Sequence, residues 1–130
     1  MFKVDMIVSL KSILKEQGFK KIRNYWYKVQ NEMTFYLNIQ GSAYSSDDFY
    51  VNFGIVLSSF KEKIPPIYEW DVCRRVFVDG KQTNFDLADV LLMFDYFLNL
   101  FPTVEETVSF VNSQKKQYQH IIISERYMLA

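Results

Sequence analysis

The sequence predicts an α+β domain, an antiparallel β-sheet meander with an N-terminal helix and two C-terminal helices packed on one face. Three observations carry this. Residues 22–58 alternate apolar and polar side chains with a period of two, broken only at short polar turns. Apolar residues at helical spacing precede that region and follow it. The apolar side of the sheet and the apolar stripes of the helices then meet, with the helices covering one face and leaving the other open.

The first element is a helix over 4–17. Ile7, Leu10 and Leu14 fall on one side, Val4 and Ile13 flank them, and Lys11, Lys15 and Glu16 face water. Gly18 stands where a helix ends in a left-handed residue, and Phe19 anchors the exit. Strands are expected over 22–30, 33–42 and 48–58, with Asn31-Glu32 as the first turn and Ala43 to Asp47 as the second loop. Met33, Phe35, Leu37 and Ile39 share one side with Phe49, Val51, Phe53, Ile55 and Leu57. Thr34, Tyr36, Asn38, Gln40 and Ser42 face the other way, with Tyr50, Asn52 and Gly54. A one-residue slip would turn every side chain over, so these faces fix the parity of the register. Gln40 is then expected opposite Tyr50, Asn38 opposite Asn52, and Tyr36 across from Gly54, where an aromatic ring can restore packing that glycine lacks.

Pro65-Pro66 exclude a central strand after Phe60. A fourth strand is expected over 72–78, followed by a tight turn at Asp79-Gly80. Asp86 can cap a second helix running through Leu100, with Leu87, Val90, Leu91, Phe94, Leu98 and Phe101 on its apolar side. Pro102 breaks it. Thr103-Val104-Glu105-Glu106 has the form of a capping box and starts a third helix, with Val104, Val108 and Val111 inward and Lys115 and Lys116 near its negative end. Ile121 to Ile123 fit either a last short strand or a docked extension.

The 130 residues are expected to form one domain, 1–130, able to bury a core without disulfides or metal. The single cysteine, Cys73, excludes an intramolecular disulfide. The N-terminus has no signal-peptide pattern, and the longest apolar run, Val90 to Phe94, is far short of a membrane span. A soluble cytoplasmic protein without membrane contact is the expectation. Net charge is zero, yet it is segregated. Residues 1–30 are basic, whereas 82–114 hold Asp86, Asp89, Asp95, Glu105 and Glu106 with no Lys or Arg.

Catalytic signatures are absent: no phosphate-cradling glycine loop, no nucleophile elbow and no paired-histidine metal motif. His120 is the only histidine, which rules out a multi-histidine site within one chain. Cys73 would need His120 beside it and a lowered pKa to act as a nucleophile; a buried strand cysteine is the simpler reading. Asp47-Asp48 lacks the rest of a cation shell, so no metal and no cofactor is expected. "KKIRNYWYK" (20–28) mixes bases and aromatics, but strand alternation turns Trp26 into the core, which disfavours nucleic-acid binding.

The polar side of the sheet is the best candidate binding surface: Tyr25, Tyr27, Tyr36, Asn38, Gln40, Tyr50 and Asn52. Tyrosines and amides combine contact area with adaptable hydrogen bonds. The plain alternative is an ordinary solvated face with good strand formers.

Three strings carry a resemblance: "LKEQGFKKIRNYWYK", "IQGS" and "FYVNFGIVL". Gly18, Phe19, Lys20, Lys21, Gln40, Ser42, Phe49, Asn52 and Gly54 give the pattern helix-GFKK…QxS…FxxNxG. This resembles a bacterial family of domains of unknown function, over roughly the first 60 residues. The family has no established activity, so the resemblance implies a fold rather than a reaction.

The functional expectation is a non-enzymatic protein-interaction domain, in its specific form an immunity protein that neutralises a toxin partner. The acidic second and third helices would suit a basic toxin domain. The alternative is a small-molecule-binding or regulatory module using the same polar sheet face. The oligomeric state is open.

Overall fold

The computed structural model describes residues 2–42, 48–57, 64–76, 85–113 and the backbone of 120–123, the side chain of Tyr68 excepted. The chain opens with helix α1 (Lys3–Glu16), which buries Met6, Leu10 and Leu14. Met6, not Val4, completes the inward stripe, because the 3.6-residue repeat turns Val4 out to water. Gly18 adopts φ +90°, and the Phe19 N–H donates to the Leu14 carbonyl at 2.9 Å. Together with the Gly18 N–H on Lys15 O (3.0 Å), this ends the helix in a Schellman turn that aims Phe19 into the core. Lys28 Nζ donates to Gln17 O at 2.9 Å, placing a cation at the negative end of α1.

Where one strand is expected over 22–30 there are two, β1 (Lys20–Ile22) and β2 (Tyr25–Gln30). Arg23, at φ 55°, reverses the chain between them. Asn31 (φ 54°) and Glu32 (φ 65°) then make the two-residue left-handed turn of a tight hairpin into β3 (Met33–Gly41). Next come β4 (Phe49–Val56) and β5 (Val72–Val76), and the sheet order is sequential. β1 to β5 are antiparallel; β6 (His120–Ile123) joins β5 in parallel, so the backbone of the tail enters the sheet. The register places Gln40 against Tyr50, Asn38 against Asn52 and Tyr36 against Gly54, as alternation requires.

Helix α2 (Leu87–Leu100) starts at Asp86, which takes the N-cap position without a side-chain cap bond. It buries Val90, Met93, Phe94 and Phe97. Helix α3 (Val104–Ser113) begins where the Glu106 N–H donates to Thr103 Oγ1 at 3.1 Å. Its inward side carries Thr107 and Phe110 alongside Val104 and Val111, while Val108 is turned out to solvent. The three helices share one core with the apolar side of the sheet. Phe53 lies at its centre, with ring centroids 4.9 Å from Phe94 and 5.5 Å from Phe97. Trp26 belongs to this core. Among the described residues no single helix is long and apolar enough to cross a membrane. The Ala43–Asp47 loop, the Asp79-Gly80 turn and Lys115-Lys116 lie outside the described residues.

Candidate functional site

The sheet face away from the helices divides into two parts, and a crossing segment makes the division. Residues 64–70 pass over that face and end in a 3-10 turn, Ile67–Glu69, followed by Trp70. Trp70 lies flat on Gly54: a Cβ there would sit 1.9 Å from Trp70 Cε3. Only a residue without a side chain permits so close an approach of ring to strand. Tyr36 stacks on the same indole, with centroids 5.1 Å apart and planes at 13°. Tyr25 meets it edge-on at 6.2 Å. The indole N–H donates to Pro65 O at 3.1 Å, and the Leu57 N–H donates to Asp71 Oδ2 at 2.8 Å, fixing both ends of the segment. Cys73, Val56, Ile64 and Ile67 complete this second cluster. Expectation and structure agree on an aromatic ring over Gly54, but the ring is Trp70, supplied by the proline loop.

Beyond Trp70 the face is polar and linked. Asn52 Nδ2 donates to Asn38 Oδ1 and to Gln40 Oε1, both at 3.0 Å. Arg75 Nε donates to Asn52 Oδ1 at 3.2 Å, and Arg75 Nη2 donates to Gln40 Oε1 at 2.7 Å. Asn38 Nδ2 reaches back to Asn24 O at 3.3 Å. Arginine can only donate, so it forces the Asn52 oxygen toward itself and the Asn52 amide nitrogen toward Asn38 and Gln40. Every amide orientation follows from that one constraint. The guanidinium also lies over the Tyr50 ring, 4.4 Å from its centroid. Asn52 and Asn38 are 0% and 3% exposed, Arg75 and Tyr50 half-buried, and Gln40 exposed. The network thus has a buried root and an accessible end.

The seven residues singled out from the sequence separate accordingly. Tyr25, Tyr27 and Tyr36 join the Trp70 cluster, with Tyr27 6.3 Å from Tyr36. Asn38, Gln40, Tyr50 and Asn52 join Arg75. Tyr36, Asn38 and Asn52 are buried, so they shape the surface without being part of it. Sequence reasoning passed over Trp70 and left Arg75 out of the polar face. The Arg75 signal was available: Val72 and Val76 must face the core, so alternation puts Arg74 with them and Arg75 beside Asn52.

Burial shapes the titration of this face. It pushes the Tyr36 hydroxyl up to about 12, with Tyr27 adding to the effect, and raises Tyr25 despite Arg23. Burial pushes the Cys73 thiol up to about 11, against the pull of Arg75 and Arg74. The register sets Cys73 opposite His120 in the backbone. Even so, a thiol raised this far stays protonated at neutral pH, an unfavourable state for a nucleophile. Among the described residues there is no group of three His, Cys, Asp or Glu side chains able to hold a metal ion.

On the opposite face of β5, Arg74 is 1% exposed beneath Phe110, 4.7 Å from that ring. Its Nε and Nη1 have no hydrogen-bond partner among the described residues. Burial lowers its pKa to about 10, which leaves it charged at neutral pH.

Fold and face together define a small α+β domain whose sheet carries a fixed, arginine-centred polar surface beside an aromatic cluster. The chain belongs to the family described as domain of unknown function (DUF4304), whose sequence pattern matches residues 10–90. That span includes Gln40, Asn52, Trp70 and Arg75. No curated protein and no solved structure matches the chain.

Proposed function

We propose that this chain is a non-enzymatic protein-interaction domain that engages its partner through the accessible end of the polar sheet face, at Gln40, Tyr50 and Arg75. The observation that carries the reading is the amide network. Asn38 and Asn52 are removed from water and hold Arg75 and Gln40 in one arrangement, so little side-chain freedom is lost when a partner docks. Arginine and tyrosine are the residue types that most often anchor interfaces. The specific form of the reading is an immunity protein that neutralises a toxin domain. Its support is a second, separate surface on the helix side of the sheet, where Asp86, Asp95, Glu105 and Glu106 are exposed and suit a basic region of such a partner.

The test is affinity capture with the intact chain beside a Gln40→Ala/Tyr50→Ala variant, both checked for folding by circular dichroism. Gln40 is exposed and Tyr50 half-buried, so this variant keeps the buried root of the network. A stoichiometric partner held by the intact chain and lost by the variant is the expected result. Identical captured sets would contradict the reading. Co-expression with a captured toxin domain then tests the immunity form, which predicts protection of the host cell.

A further inference from the structure

We infer that the group Arg75 recognises is a carboxylate on the protein partner, taken end-on by the outer edge of the guanidinium. This inference rests on the interaction reading above and names the chemistry of the same surface.

A guanidinium has five N–H groups in one plane. The internal network uses two of them, one on Nε and one on Nη2, toward Asn52 Oδ1 and Gln40 Oε1. Both lie along the side edge of the plane. The outer edge, formed by one N–H from Nη1 and the second N–H of Nη2, has no protein acceptor among the described residues. Two parallel donors at that spacing match the two oxygens of a carboxylate. Tyr50 supports the guanidinium plane from one side, which holds the fork in a single orientation.

Charge points the same way. Arg75 is held by neutral amides and an aromatic face, and no carboxylate among the described residues contacts it. Among the described residues its positive charge is therefore oriented but not cancelled. A surface meant only to fill its own hydrogen bonds could pair the arginine with an acidic side chain; here position 40 is Gln, so the charge remains available to a partner.

The experiment is a side-chain NMR titration of the full chain with N-acetyl-glutamate N-methylamide. N-acetyl-glutamine N-methylamide and inorganic phosphate are titrated in parallel. The expected result is that the Arg75 Nε–H and Asn52 Nδ2 resonances move with the carboxylate and not with the neutral amide. Arg75→Lys retains the charge but lacks the fork, and should weaken the response at least about tenfold. Gln40→Glu places a carboxylate inside the network; it should leave the protein folded and abolish the response, because Arg75 is then already paired.

Equal shifts with the glutamine analogue would overturn the inference, as would an undiminished response in Gln40→Glu. A response to phosphate alone would overturn the carboxylate class. The two readings fail separately. Partner capture lost in Gln40→Ala/Tyr50→Ala but unchanged in Arg75→Lys would end the carboxylate inference and leave the interaction reading standing. Capture indifferent to all these changes would end both.

Discussion

Arg74 and Arg75 are adjacent in the chain, yet β5 sends them to opposite faces of one sheet, where they meet opposite solutions to the same problem. Arg74 lies in the helix-covered core with two nitrogens that find no acceptor among the described residues and a phenyl ring above it. Arg75 lies on the far face, with two amide oxygens as acceptors and a tyrosine ring beneath. The first arrangement loses hydration without full replacement and costs stability. The second replaces water with fixed dipoles and leaves one edge without an acceptor among the described residues. The difference shows that what matters is not the presence of a buried or half-buried cation but whether its donors are satisfied.

The two faces differ as whole surfaces too. The helix side is packed by aliphatic and phenyl groups around Phe53. The far side is held by one indole on one glycine and by a short chain of amides. Substitutions should separate them. The largest effect is expected from Phe53→Ala in the helix-side core, a loss of about 3–5 kcal/mol in urea unfolding. A value below that of Gly54→Ala would show that the main core is not where this fold places it.

Gly54→Ala comes next, at about 1–3 kcal/mol, since the new methyl would overlap the Trp70 ring. A double-mutant cycle sharpens this. Trp70→Ala removes the obstacle, so adding Gly54→Ala to it should cost almost nothing further. Additive losses would mean that Trp70 does not lie on Gly54.

The paired arginines give smaller effects of opposite sign. Arg74→Met should be neutral to stabilising, by about 1 kcal/mol, because it removes a buried charge whose Nε and Nη1 have no acceptor among the described residues and keeps the packing under Phe110. Arg75→Met should destabilise by about 1–2 kcal/mol, since Asn52 and Gln40 lose their donor. Equal signs in the two variants would break the comparison.

Cys73 gives the smallest effect at neutral pH. Its folded pKa is raised to about 11, from 9.0, so above pH 9 the unfolded chain binds fewer protons at this group than the folded one. Its contribution is therefore fully present below pH 9 and is lost as pH rises toward 11. Alkylation at pH 8 should be slow in the native protein and fast in urea, and Cys73→Ala should flatten the alkaline decline. Rapid native alkylation would contradict the buried thiol.

Much of this was legible in the sequence. Period-two alternation, with Gln40, Asn38 and Tyr36 opposite Tyr50, Asn52 and Gly54, settled the faces of β3 and β4, because parity leaves no intermediate arrangement. Gly18 and Thr103 marked helix boundaries through local backbone and capping chemistry, which depends on few neighbours. The docking of Trp70 was not legible. Pro65-Pro66 indicate a break in the sheet, but where the following tryptophan lands is a long-range packing outcome with no local pattern. The start of β2 was missed for a related reason: Arg23 takes a left-handed conformation that its residue type does not advertise. As a result, the polar face could be drawn correctly strand by strand, while its division into an aromatic cluster and an arginine network could not.

The central claim is that Arg75 is pinned by Asn52 and Gln40 at the accessible end of this face. The most direct measurement is hydrogen exchange of the Arg75 Nε–H, followed by side-chain NMR in the intact chain and in Asn52→Ala. A slowly exchanging resonance, distinct from that of exposed Arg23 and accelerated by Asn52→Ala, is the result this account predicts. An Arg75 signal that exchanges as fast as Arg23 in both proteins would contradict it.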